Sequence, residues 1–92
     1  MFFDIKTDYG KYTIEFFLTC GGCPEQYDIK DKDGYRLGYV HLRWGCLVAK
    51  IDGQVIYEHE FRDNQKGLFS DDDERKKYLR KIAKIVVENY IS

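Results

Sequence analysis

The sequence predicts an α+β fold: an antiparallel β-meander of five or six strands with one C-terminal helix packed on one face. Two observations predict it. Turn-forming glycines at Gly10, Gly34, Gly45 and Gly53 separate short segments rich in β-branched and aromatic residues. The last third of the chain instead has apolar residues at the spacing of an amphipathic helix. A chain of 92 residues is expected to form a single domain.

Turn signals divide the first two thirds of the chain into strands. The second strand alternates apolar and polar residues, which is typical of a half-buried strand. The Gly-Gly-Cys-Pro loop after it cannot continue a strand, because glycine weakens strands and proline cannot donate to a ladder. Asp52-Gly53 predicts a two-residue hairpin, since a type I′ turn needs positive φ at both central positions. The predicted strands are residues 2–7, 11–19, 27–30, 35–44, 46–51 and 55–61.

The C-terminal helix is predicted over residues 70–90. Ser70 or Asp71 can cap its first turn, and the acidic residues that follow complement the helix dipole. The sheet is therefore expected in residues 1–62 and the helix in 70–91. The apolar stripe of the helix, which is expected to cover one face of the sheet, consists of Tyr78, Leu79, Ile82, Ile85, Val86 and Tyr90.

Turn lengths predict which strand residues share a face. If residues 44–45 and 52–53 each form a two-residue loop, Cys46 lies opposite His59, and a slip of one residue would exchange the faces. The face expected to seat the helix contains Val40, Leu42, Trp44, Leu47, Ala49, Ile51 and Ile56. The opposite, more polar face contains Tyr39, His41, Arg43, Cys46, Val48, Lys50, Tyr57 and His59.

Composition narrows the functional classes. The net charge of −1 lacks the basic excess of a non-specific nucleic-acid binder, so nucleic acid is not the expected partner. No apolar stretch approaches the ~20 residues that span a bilayer, so no membrane association is expected. Three cysteines, and a start without the pattern of a signal peptide, indicate a reducing compartment and hence the cytoplasm.

The cysteines are the first candidates for chemistry. Cys20-Gly-Gly-Cys23 has the spacing of a zinc knuckle, and Cys46 with His59 can complete four ligands. A redox motif would need a helix after Cys20, whereas Pro24 and a strand follow. A Gly-rich connection with two incidental thiols is the alternative.

Cys46 and His59 are also candidates for a nucleophile–base pair. Neither an orienting group nor a pocket for such a pair can be inferred from the sequence. The chain contains none of the Gly-rich, metalloprotease or nucleophile-elbow motifs of common enzymes. We therefore expect no enzyme and no cofactor.

The polar face is the strongest candidate for binding, because Tyr and Arg are enriched among residues that dominate protein interfaces. It is alternatively a plain solvent-exposed sheet face, or a pocket in which Arg43 meets the phosphate of a nucleotide-type ligand. An exposed edge strand at residues 2–7 can pair with a second copy in a homodimer. The predicted partner contacts are Tyr39, His41, Arg43, Tyr57, Cys23, Glu25, Gln26 and Tyr27.

Three segments carry a resemblance: CPEQYDIK (23–30), GYVHLRWG (38–45) and GLFSDDDERKKYL (67–79). Together they resemble small uncharacterised proteins carried by bacteriophages and mobile elements of Gram-positive bacteria. The resemblance implies a setting in which accessory genes often encode inhibitors of host defence, including anti-CRISPR proteins. The expected function is therefore a non-enzymatic inhibitor that occludes a host protein surface. The alternatives are a protein that sequesters a nucleotide-type ligand and a small zinc-binding module.

Overall fold

A computed structural model describes residues 1–22 and 24–91 of the chain. Within these residues, six antiparallel strands are hydrogen-bonded in the order in which they occur in the sequence, and one α-helix follows them. The predicted α+β meander with a C-terminal helix is confirmed, with the sheet curled into a half-barrel. The elements are β1 (Phe2–Thr7), β2 (Gly10–Cys20), β3 (Glu25–Lys30), β4 (Arg36–Arg43), β5 (Cys46–Ile51), β6 (Gln54–Glu60) and α1 (Asp72–Val86).

The hydrophobic core lies between α1 and the side of the sheet that faces it, which we call the inner face. The helix contacts both edge strands, β1 and β6, because the sheet curls around it. Full burial of an aliphatic side chain such as Leu79 or Ile82 contributes about 1.5–3 kcal/mol. The sheet residues of this core are Phe3, Ile5, Ile14, Phe16, Tyr27, Ile29, Val40, Leu42, Leu47, Ala49 and Ile51.

Both predicted two-residue hairpins are present as type I′ turns. Trp44 and Gly45 have φ values of 52° and 72°, and Asp52 and Gly53 have 51° and 78°. Gly45 is favoured by its positive φ and also by the lack of space around it, because a Cβ atom there would lie 2.4 Å from the carbonyl oxygen of Asp63. The prediction that Trp44 faces the helix is wrong: it lies at the tip of its turn and is 73% exposed.

A β-bulge interrupts the pairing of β5 with β6. Lys50 lies opposite Val55, but Ala49 lies opposite Tyr57, so Ile56 is an extra residue on β6. Side chains alternate between faces along a strand, and one extra residue therefore exchanges the faces of everything that follows it. The predicted register holds at the turn and fails beyond the bulge.

The bulge overturns the prediction that Cys46 lies opposite His59. Cys46 pairs with Glu60, and both Tyr57 and His59 lie on the inner face. The Nε2 atom of His59 is 3.3 Å from the hydroxyl oxygen of Tyr78 on α1. Burial and the neighbouring Tyr78 hydroxyl raise the pKa of Tyr57. Tyr57 is therefore partly covered by the helix, and the prediction that it shares the polar face with Tyr39, His41 and Arg43 is wrong.

The helix begins close to its predicted start. The Asp71 side chain accepts a hydrogen bond of 2.8 Å from the backbone N–H of Glu74, so Asp71 is the N-cap. The chain continues beyond α1 as a π-helical turn, Val87–Ile91. Val87, four residues after the buried Ala83, is itself buried. The i→i+5 bonding of the π-helical turn moves Tyr90 off the apolar stripe, so Tyr90, predicted to face the sheet, is 47% exposed. Within the part of the chain that the structure describes, no helix is long and apolar enough to cross a bilayer.

Candidate functional site

Four of the predicted partner contacts lie together on the outer face of the sheet, which is the face opposite α1. Gln26 on β3 lies directly opposite His41 on β4. Tyr39 and Arg43 occupy the positions two residues before and after His41, and they therefore point to the same side. We call Gln26, Tyr39, His41 and Arg43 the outer-face patch.

Neighbouring side chains hold the aromatic rings of this patch. The rings of Tyr39 and His41 are stacked, with centroids 5.8 Å apart and planes inclined by 20°. The guanidinium of Arg36 lies 5.7 Å from the Tyr39 ring, and its Nε atom donates to Asp28 at 2.9 Å. The Tyr39 ring therefore contacts an aromatic ring and a cation whose own position is restrained.

Two shallow cavities adjoin at Arg43. One, of about 290 Å³, is lined by Pro24 and the four residues of the outer-face patch. The other, of about 280 Å³, is lined by Pro24, Arg43, Trp44 and Gln65. The exposed Trp44 ring therefore extends the patch past the end of β4. Sequence reasoning placed Trp44 in the core, although a residue at a type I′ turn lies at the sheet margin and rarely reaches a core.

Two cations influence the His41 ring of the patch. Burial, Lys50 and Arg43 together lower the pKa of His41, so its imidazole is neutral at pH 7 and offers one donor and one acceptor nitrogen. Neither Arg43 nor Lys50 forms a salt bridge with any residue in 1–22 or 24–91. The patch thus combines aromatic rings with the cation of Arg43, and Lys50 lies opposite Tyr39 on the neighbouring strand.

Two other predicted contacts, Glu25 and Tyr27, are not on this surface. Glu25 is 3% exposed, and its carboxylate accepts hydrogen bonds from Arg75 Nε at 2.6 Å and from the backbone N–H of Phe69 at 3.1 Å. The Tyr27 hydroxyl donates to the same carboxylate. These residues join β3 to α1 from the inner side of the sheet and are buried, so they are not part of the outer-face patch.

The charge of Glu25 is stabilised in place. Burial acts to raise its pKa, but the hydrogen bonds from Arg75, Tyr27 and Phe69 outweigh burial and lower the pKa overall. Burial and the adjacent carboxylate raise the pKa of Tyr27, so its hydroxyl remains protonated and donates. The cluster therefore has a structural role.

Among the cysteines that the structure describes, Cys20 and Cys46, the predicted chemistry is not assembled. Cys46 lies on the outer face and His59 on the inner face, so they form neither a nucleophile–base pair nor half of a zinc site. Burial and two glutamates of β6 raise the pKa of Cys46, which makes it a weaker nucleophile. Cys20 is exposed, and Cys23 lies outside the described residues. Among the residues that are described, no group of three or more His, Cys, Asp or Glu side chains is arranged to hold a metal ion.

Comparison of the chain with protein-family models, curated proteins and solved structures gives no significant match. The distinctive part of the protein surface is the outer-face patch with Trp44.

Proposed function

We propose that this chain is a small non-enzymatic binding protein that occludes a surface of a partner protein with the outer-face patch and Trp44. One observation carries the proposal: Tyr39, His41, Arg43 and Trp44 lie side by side on the face that the helix leaves uncovered. Trp, Tyr and Arg dominate the binding energy of protein interfaces.

The charges of the patch indicate the chemistry of its partner. Arg43 and Lys50 have no carboxylate partner among the described residues, and His41 is neutral near pH 7. A carboxylate on the partner can therefore bind the Arg43 guanidinium without displacing an existing ion pair. The Trp44 ring, next to Arg43, suits an apolar group beside that carboxylate. We expect an acidic and partly apolar surface on the partner.

The sequence resemblance to accessory proteins of phages and mobile elements favours a bacterial host protein as this partner. An inhibitor of that kind needs only to cover a working surface of its target. A firm, preorganised patch suits such a role, because little side-chain freedom remains to be lost on binding. The stacked rings of Tyr39 and His41 meet that requirement.

A nucleotide-type ligand is the second candidate. Arg43 lies between two aromatic groups, which favours an aromatic anion. Each cavity alone is at the lower end of the roughly 300–1,000 Å³ of most small-molecule sites, and both are shallow. A protein partner therefore has the better support.

A capture experiment tests the proposal. The wild type, the Y39A/R43A variant and a Y35A/R80A control are immobilised and exposed to lysate from a Gram-positive host. The control removes the same residue types and the same charge from exposed positions outside the patch. We expect one protein to be captured equally by the wild type and the control, and at least about tenfold less by Y39A/R43A, because each lost hot-spot residue costs about 1–2 kcal/mol or more.

Two further readouts complete the test. The melting temperature of each variant shows whether its fold is intact. A nucleotide that raises the melting temperature of the wild type but not of Y39A/R43A would favour the second candidate. Capture by Y39A/R43A at the wild-type level would contradict a binding role for the patch.

A further inference from the structure

The free edge of β1 presents unpaired backbone groups. β1 is one of the two edge strands of the sheet, and among residues 1–22 and 24–91 only β2 pairs with it. Met1 and Phe16 exchange both backbone hydrogen bonds, at 3.0 Å and 2.8 Å. Hydrogen-bonded and non-bonded pairs alternate along an antiparallel ladder, so the residues whose backbone groups point away from β2 are the even-numbered ones. These are Phe2, Asp4 and Lys6.

Of the two charged residues of β1, Asp4 has polar partners and Lys6 has no salt-bridge partner among the described residues. Asp4 lies opposite Thr13, whose hydroxyl donates to it at 2.7 Å. Lys6 lies opposite Lys11, and like charges placed directly opposite each other are destabilising. Lys11 is 3.9 Å from Asp4, whereas Lys6 forms no salt bridge with any described residue. An anion on the free side of β1 would therefore stabilise Lys6.

Within the strand residues Phe2–Thr7, a second copy of the same strand supplies that anion in one register. Directly opposed residues share a face, so a two-fold axis between antiparallel strands must pass through a residue pair of like number. An axis at Asp4 opposes two aspartates, and an axis at Lys6 opposes two lysines. An axis at Ile5 instead places Asp4 opposite the partner's Lys6, and it does so twice. The outward backbone groups of Asp4 and Lys6 then form the hydrogen bonds of the new ladder.

We propose that β1 pairs antiparallel with β1 of a second copy about a two-fold axis at Ile5, which joins two half-barrel sheets edge to edge. The contact forms a closed dimer, because an isologous pair uses the same surface on both subunits. This inference goes beyond the proposed binding function and does not depend on it.

The other edge of the sheet is not suited to the same pairing. The charged residues of β6 are Glu58 and Glu60, so no register of β6 with itself opposes unlike charges. The bulge at Ile56 also interrupts a regular ladder on that strand. Pairing of β1 with β6 of another copy would leave a free edge at each end and would grow into a fibre. Only the β1 edge is self-complementary.

The size of the contact sets the expected affinity. The overlap spans residues 3–7 on each subunit. We expect it to bury less than the roughly 1,200–2,000 Å² of a standard stable interface. We therefore expect a reversible dimer with a Kd on the order of 10–100 µM. Sedimentation velocity from about 5 µM to about 1 mM measures it.

Charge exchange tests the register. D4K leaves only positive charges at positions 4 and 6, and K6D leaves only negative ones. Each variant alone should raise the dimer Kd by at least about tenfold, because two attractive pairs become repulsive. An equimolar mixture of D4K and K6D should restore association as a heterodimer. E60K, which makes the same charge change as D4K on the β6 edge, should dimerise like the wild type.

The outcomes separate clearly. A wild type that stays monomeric at about 1 mM overturns the proposal. So does a dimer that K6D leaves unchanged, or one that E60K weakens as much as K6D does. Because D4K also removes the acceptor of the Thr13 hydrogen bond, its circular dichroism and melting temperature are measured first. K6D leaves that hydrogen bond intact and keeps the test decisive if D4K is unstable.

Discussion

At the scale of single residues, Glu25 is buried although its neighbours in the sequence predict an exposed position. It follows Pro24 and precedes Gln26, so its neighbours indicate an exposed loop end. Its carboxylate is nevertheless buried and accepts hydrogen bonds from a side chain of α1, far away in the sequence. Local patterns predict a strand's periodicity, whereas a long-range ion pair depends on where the helix comes to lie. By contrast, Tyr39, His41 and Arg43 alternate within one regular strand, and their shared face was predictable.

We expect Glu25→Ala to lower the free energy of unfolding by about 3–5 kcal/mol, because it leaves a partly buried arginine and a backbone N–H without their carboxylate. Asp28→Ala, which removes an ion pair with Arg36 on the more exposed outer face, should cost at most about 1 kcal/mol. Urea denaturation measures both losses. Equal losses would mean that the Glu25 cluster does not hold α1 to β3.

The same carboxylate predicts a pH dependence. Its pKa is lower in the folded than in the unfolded chain, where it is 4.5. Above 4.5 its full contribution to stability is present, and the contribution is lost as the pH falls through the folded-state pKa. Glu25→Gln should flatten this acid limb of the stability curve. An unchanged acid limb in the variant would assign that loss of stability to other groups.

At the scale of elements, the turns were the most predictable part of the chain. Asp52-Gly53 and Trp44-Gly45 form the expected hairpins because their chemistry is local: glycine adopts positive φ without a steric penalty. The β6 bulge was not predictable, since Val55-Ile56-Tyr57 contains neither the glycine nor the proline that commonly marks an irregular strand. The observed register of β6 places His59 against the Tyr78 ring of α1. This is a tertiary contact, which the local sequence of β6 does not indicate.

Two glycines at equivalent turn positions form a matched pair for mutation. Gly53→Ala meets no atom within 4 Å and should cost about 1–2 kcal/mol of stability, from its positive φ alone. Gly45→Ala carries the same backbone penalty and also clashes with the carbonyl oxygen of Asp63. It should cost about 1–3 kcal/mol more. Thermal or urea unfolding of the two variants gives the difference in their free energies of unfolding. Equal stabilities would show that the loop after β6 moves aside without a cost in stability.

At the scale of the whole molecule, the meander and its helix were predictable because consecutive antiparallel strands with short turns leave few other arrangements. The depth of the curl was not, since it depends on twist accumulated over six strands and on the width of the helix between them. That curl brings α1 into contact with both edge strands. The β6 bulge places Tyr57 and His59 on the side of the sheet that the helix covers, away from the outer-face patch.

One hydrophobic cluster joins the helix to the sheet, so we expect the chain to unfold in a single step. Leu79→Ala should lower the free energy of unfolding by about 2–5 kcal/mol, whereas Lys84→Ala on the exposed side of α1 should change it by less than about 0.5 kcal/mol. Near-ultraviolet circular dichroism reports aromatic packing, and far-ultraviolet circular dichroism reports the backbone. If the two transitions occurred at different urea concentrations, helix and sheet would be separate folding units.

The extra residue in β6 also restricts how this chain can change during evolution. Loss of one residue between the turn at Gly53 and the end of β6 would have one of two results. It would remove the bulge and leave the later side chains on their present faces, or it would keep the bulge and exchange those faces. After such an exchange, Glu58 and Glu60 would point into the apolar interior, and His59 would point to water. A deletion of one residue in this strand is therefore expected only where the bulge is lost with it, and other insertions or deletions are expected in even numbers, so that each side chain keeps its face.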